Sequence, residues 1–206
     1  MPQPDLTNIG ICVFDAYGTL FDFNSAVARH RAAIGPKADA LSDMWRSKQI
    51  QYTWLRNSMG AYAPFWQVTG EALDHCLAAH AITDASVREK LMSAYLALDP
   101  FPEVPGVLDR LANAGKRLAI LSNGNPEMLD PMVKASGLAN RFEAVLSVDA
   151  AKVVPEALFG DDLAASADEI TRVFPVILDC LAAATGLPRK HVYTRALALT
   201  RRQAED

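Results

Sequence analysis

The residues best suited to chemistry stand at the ends of two apolar runs. "IGICVF" (residues 9–14) delivers Asp15, followed at once by Ala16, Tyr17, Gly18 and Thr19. "KRLAIL" (residues 116–121) delivers Ser122, Asn123 and Gly124. A carboxylate, a hydroxyl and a carboxamide suit that place, because ligands of open parallel sheets bind beyond the carboxyl ends of the strands. An Asp after a strand is by itself a common turn former. Asp followed by Gly-Thr, with a later apolar strand ending in Ser-Asn-Gly, is a much narrower pattern. Its oddity is Tyr17, which stands two places after Asp15 where a second acid would make a pair.

These residues need a scaffold that brings two strand ends together. "IGICVF", "KRLAILS" and "FEAVLSV" (residues 142–148) are short apolar runs of the kind that form buried parallel strands. One helical pattern precedes the second run, and another separates it from the third. "PGVLDRLANAG" has Pro105 near its start and Gly115 past its end, and "NGNPEMLDPMVKASG" has Asn125 as N-cap, Pro126 at N1 and Gly137 as a stop. Such alternation implies a parallel sheet with helices on its faces. The stretch from about residue 24 to 98 breaks the rhythm, being far longer than a connecting loop of about 6 residues. It is strongly helical: Leu41, Trp45, Tyr52, Leu55 and Met59 recur at helical intervals, and Ser86 with Glu89 forms a capping-box pattern. Trp45, Trp54 and Trp66 read as packing anchors between its helices. The expected fold is α/β: a Rossmann-like core of residues 1–22 and 99–206, interrupted by an all-helical cap of residues 23–98.

Composition narrows the functional classes. Of 206 residues, half are hydrophobic and 21% charged, enough for one sizeable domain or a core with an insertion. The net charge is −4 and only residues 189–202 lean basic, so no nucleic-acid footprint is visible. An anionic ligand must then be held by a local positive site. The three cysteines are scattered without metal-type spacing, and Cys12, inside an apolar run, reads as a small buried hydrophobe. "MPQPDLTN" lacks the features of a signal peptide, and no window approaches the ~20 apolar residues of a membrane span. The expectation is a reduced, cytoplasmic protein with no membrane segment.

The set "FDAYGTLFD", "WRSKQIQYTWLR", "LAILSNGNP" and "LSVD" resembles the haloacid dehalogenase superfamily, and within it the type II L-2-haloacid dehalogenases. By that resemblance Asp15 is a nucleophile that attacks C2 of a small anionic 2-halocarboxylate, expels halide and leaves an ester for water to cleave. Phosphatases of the superfamily carry an acid at the position of Tyr17 to protonate a leaving alkoxide; a halide needs no proton. The resemblance also implies Thr19 as the hydroxyl orienting the nucleophile, and Arg46 and Asn123 as halide donors. It implies Ser122 with the backbone amides around Ala16 and Tyr17 as the carboxylate site, and Tyr17, Ile50 and Phe65 as pocket walls. It calls for no metal and no cofactor, and implies a homodimer.

After Asp149 the likeness stops. The family places Lys directly before a Pro, where this chain has Val154-Pro155 with Lys152 two residues earlier, a shift of roughly 6–7 Å on a strand. The later Ser-Ser-Asn strand end and its Asp have no counterpart, and Asp179 reads as a helix-surface or connecting residue. Three readings of the tail stay open: rebuilt catalysis, an ester that forms but turns over poorly, or a segment replaced by a reading-frame change. The alternatives to dehalogenation are a phosphatase of the same superfamily, which Tyr17 opposes, and a degenerate protein that only binds small carboxylates.

Overall fold

In the computed structural model, which describes residues 10–151, the first apolar run forms β1 (Ile11–Phe14) and the chain then turns sharply. Gly18 takes a φ of +88°, a value that side-chain-bearing residues rarely adopt. Leu20 and Phe21 both donate to the Ala16 carbonyl, at 3.0 and 2.9 Å, which folds residues 16–21 tightly beyond the strand. β2 (Phe21–Asp22) follows, and then a helical run: α1 (Ser25–Arg29), α2 (Arg31–Ile34), α3 (Ala38–Ser58), α4 (Phe65–Ala79) and α5 (Ala85–Tyr95). The chain returns through β3 (Asp99–Pro100), which pairs antiparallel with β2, Asp22 opposite Asp99. It continues as α6 (Val104–Asn113), β4 (Arg117–Ser122), α7 (Pro126–Ala135) and β5 (Ala144–Ser147).

Among the described residues the main sheet is parallel, in the order β1–β4–β5. Phe14 pairs with Ile120, and Ser122 with Ser147, so Asp15 and Ser122 emerge side by side from neighbouring strands. The architecture is Rossmann-like α/β with a helical cap, as expected. Pro105 and Asn125 stand at the starts of α6 and α7, and Gly115 and Gly137 follow their ends with φ of +73° and +72°.

Burial corrects several local expectations. The inner face of α3 carries Leu41, Ser42, Trp45, Gln49 and Thr53, whereas Leu55 and Met59 are 56% and 68% exposed. The helical period holds, but polar residues occupy the inward stripe where it nears the site. Trp45 is buried and donates its indole N–H to the Thr69 carbonyl at 2.9 Å; Trp54 is 49% exposed and anchors nothing inside. Asp84, two residues before Ser86, caps α5 by accepting from the Ser86 N–H at 2.9 Å. The Asp84 carboxylate thus does the capping that the sequence pattern assigns to Ser86. Cys12 is half-buried, while Cys76 is fully buried, its thiol pushed up to about 11 by loss of solvent.

Candidate active site

Asp15 keeps access to solvent, yet protein atoms crowd its carboxyl. That crowding raises its pKa above the ordinary carboxylate value. The Ala16 N–H, the Ser122 hydroxyl and the Arg46 guanidinium act in the opposite direction, all favouring the anion. Ser122 is 2% exposed, and its hydroxyl lies near enough to Asp15 to favour the anion. Its oxygen also accepts from the Gly124 N–H at 3.4 Å.

Arg46 comes from the opposite side, on α3. Its Nη2 donates to the Tyr17 carbonyl at 3.4 Å and its Nη1 to Gln49 Oε1 at 2.8 Å, while the guanidinium lies 5.0 Å from the centre of the Phe23 ring. A cation is thus held over the strand end whose carboxylate it attracts. Gln49, Thr69 and Tyr95 form a buried polar group behind it, and sequence reasoning missed all three. The available signal was helical spacing, since Gln49 lies four residues after Trp45 and three after Arg46 on the inward stripe.

Tyr17 is 4% exposed and stacks on Tyr95 with ring centres 5.5 Å apart and planes 19° apart; Phe65 lies 5.6 Å away. Such pairs contribute about 0.5–1.5 kcal/mol each beyond area burial. Burial, then Tyr95 and Asp15, hold the phenol far above its usual pKa, so it stays neutral, and its oxygen has no hydrogen-bond partner among the described residues. A Cβ on Gly124 would meet the Tyr17 ring at 2.8 Å and its oxygen at 2.9 Å. The glycine of "SNG" is there for space, because its φ is ordinary.

The other expected site residues are placed as follows. Ala16 is buried under the turn. Thr19 is exposed on it, and no hydrogen bond links its hydroxyl to Asp15 among the described residues. Phe65 and Asn123 line one small cavity of about 20 Å³ with Thr53, Arg56 and Tyr62. Ile50, half-buried one turn beyond Arg46, lines neither that cavity nor a second of about 10 Å³ bounded by Phe23, Trp45, Arg46, Gln49 and Tyr95. Two ties join the cap to the sheet ends. Tyr62 donates to Asp149, and the Trp66 N–H donates to Asn125 Oδ1 at 3.0 Å, so the Asn125 carbonyl serves α4 and caps no backbone N–H of α7, while its Nδ2 donates to Glu127 at 2.6 Å. Among the described residues no group of three or more His, Cys, Asp or Glu side chains converges as metal ligands would. Lys152 and Asp179 lie outside the described residues.

This geometry has counterparts among known proteins. The family model for haloacid dehalogenase-like hydrolases matches residues 9–164. The (S)-2-haloacid dehalogenase 4A of Burkholderia cepacia is 46% identical over 143 residues, 69% of this chain and 62% of that protein. A crystal structure of a dehalogenase superposes with a TM-score of 0.74 at 40% identity, covering 84% of this chain and 72% of that one. The L-2-haloacid dehalogenase of Xanthobacter autotrophicus with chloropropionic acid covalently bound gives 0.70 at 35% identity, covering 87% of this chain and 66% of that one. The chain spans a little under two thirds of the length of the curated relatives it matches. With a carboxylate at the end of the first strand, Ser-Asn-Gly at the end of its neighbour and a helical cap above them, the chain belongs to the haloacid dehalogenase-like hydrolases, in the branch of the L-2-haloacid dehalogenases.

Proposed function

We propose that the protein cleaves the carbon–halogen bond of short L-2-haloalkanoic acids through an ester on Asp15. A carboxylate oxygen forms a bond to C2 opposite the halogen, and the electron pair of the breaking bond leaves with the halide. Water then adds at the ester carbonyl, restoring the Asp15 carboxylate and releasing a proton and a 2-hydroxy acid of inverted configuration. The observation that carries the reading is the pairing of Asp15 with the Arg46 guanidinium, alongside a neutral, buried phenol at position 17. A cation facing the nucleophile across a small substrate stabilises the anion that departs. The phenol, held far from ionisation, is a much poorer proton donor than the carboxylic acid that serves an alkoxide leaving group.

Ser122 and the amides about Ala16 and Tyr17 hold the substrate carboxylate in this proposal, and Asn123 joins Arg46 at the halide. Thr19 orients the nucleophile, and Ile50 and Phe65 bound the substrate's alkyl side. Ester hydrolysis is the slower half-reaction, because the Lys-Pro and Ser-Asn motifs that serve it in the family are absent from the sequence. The protein works as a cytoplasmic homodimer, for which Trp54, Leu55 and Met59 offer an exposed apolar surface. Light scattering reads the dimer directly, and subcellular fractionation reads the location.

The test is incubation with L-2-chloropropionate, following chloride and the mass of the peptide that carries Asp15. The expected result is a burst of chloride with an adduct on that peptide, followed by slower turnover. Asp15→Asn should abolish both signals. Turnover retained in that variant, or neither chloride nor adduct from the folded protein, would overturn the reading.

A further inference from the structure

We propose that Gln49 is a positioning residue that sets the Arg46 guanidinium, and that Thr69 dictates which end of the Gln49 amide faces it. The inference rests on the reading of Arg46 as the group beside the departing halide. Gln49 is 1% exposed, three residues along α3 from Arg46 and therefore on the same face. A buried amide must satisfy two donors and an acceptor, and its two ends are not interchangeable once its neighbours are committed.

Here the commitment starts at Thr69. Its hydroxyl has one proton, which it donates to the Phe65 carbonyl at 2.7 Å. Its oxygen can then only accept, and it accepts from Gln49 Nε2 at 2.7 Å. The same nitrogen donates to the Tyr95 hydroxyl at 3.0 Å. Both amide protons are spent, so Oε1 is left to accept, from Arg46 Nη1 at 2.8 Å and from the Tyr95 hydroxyl at 3.2 Å. Reversing the amide would set an NH2 against a guanidinium and a carbonyl oxygen against an oxygen with no proton to share. The order of donors along α4 thereby fixes the cation on α3. A cavity of about 10 Å³ beside Arg46 and Gln49 leaves room for a small shift of the guanidinium once its acceptor is removed.

The experiment uses the full chain carrying Gln49→Met, Thr69→Val or Thr69→Ser. The rate of the halide burst, which precedes the slower ester hydrolysis, is measured with L-2-chloropropionate and L-2-bromopropionate, its maximal value and half-saturating concentration determined separately. A misplaced Arg46 weakens stabilisation of charge on the leaving group, so Gln49→Met should lower the maximal burst rate for the chloro acid by about tenfold or more, and for the bromo acid by less. The half-saturating concentration should change little. Thr69→Val should shift the chloro-to-bromo ratio in the same direction, and Thr69→Ser, which keeps the hydroxyl, should restore it. An equal loss for both acids, or no loss, would overturn the proposal; a packing defect alone would not distinguish the halogens. If Gln49→Met does not fold, the Thr69 pair decides on the same criterion. If the unsubstituted chain releases neither halide, the dehalogenation reading falls. Crystal structures of the variants then decide the positioning claim: a guanidinium that leaves the Tyr17 carbonyl upholds it, and one that stays overturns it.

Discussion

At Asp15, crowding and charge act against each other. Crowding by protein holds the acid above an ordinary Asp value of about 3.9, while Ser122 and Arg46 restrain the rise. In the proposed reaction only the anion attacks carbon, so kcat/KM should fall on the acid side through a pKa above the ordinary one. Ser122→Ala removes a donor to the anion and should move that limb to still higher pH. A pH–rate profile of each protein checks both statements; a limb at or below the ordinary value, or one that moves down in the variant, contradicts them. The same raised pKa makes the folded chain hold this proton more tightly than the unfolded chain does. Stability from this group therefore declines as pH rises from the ordinary value through the raised one.

The turn after β1 and the turn after β4 meet through Tyr17 and Gly124, and that meeting holds the strand ends in register. Gly124→Ala would press a methyl group into the phenol ring and should cost about 1–3 kcal/mol, seen as a lowered melting temperature. Gly106→Ala, in α6 where the nearest atom is 3.8 Å away, should instead gain about 0.5–1 kcal/mol and serves as the control. Equal melting temperatures for the two variants would remove the steric argument. These elements also show what is legible in one sequence. β1, β4, β5 and the punctuation of α6 and α7 follow from apolar runs, prolines and glycines, because those signals are local. The inward stripe of α3 was misjudged at Leu55 and Met59, and Gln49 and Thr69 passed unnoticed. Hydrophobic periodicity assumes that the buried face is apolar, and here the face that supports Arg46 is polar by necessity.

Across the whole molecule one buried cluster runs from Leu118 and Ile120 in the sheet, through Tyr17, Leu20 and Phe21, to Trp45, Phe65 and Tyr95 in the helical cap. The cap is thus packed as interior against the sheet ends, and the polar ties at its rim add to that packing. Tyr62→Phe deletes a donor to Asp149 at little cost in volume, and should destabilise the protein by about 1–3 kcal/mol, because a partly buried carboxylate loses one of its interactions. Urea denaturation measures the loss; an unchanged midpoint would show the tie to be idle. The continuity of this cluster was hidden in the sequence, since it depends on residues far apart in the chain. That distance also bears on how the protein assembles. β1 and β4 pair across about a hundred residues, a costly first step for any chain. The two-residue ribbon of β2 and β3 shortens the intervening route to about thirty, easing closure by about 1 kcal/mol. The cheapest kinetic order therefore starts in the helices, cinches the ribbon next and zips β1 into the sheet last, so Asp15 is among the final residues of the molecule to find its place.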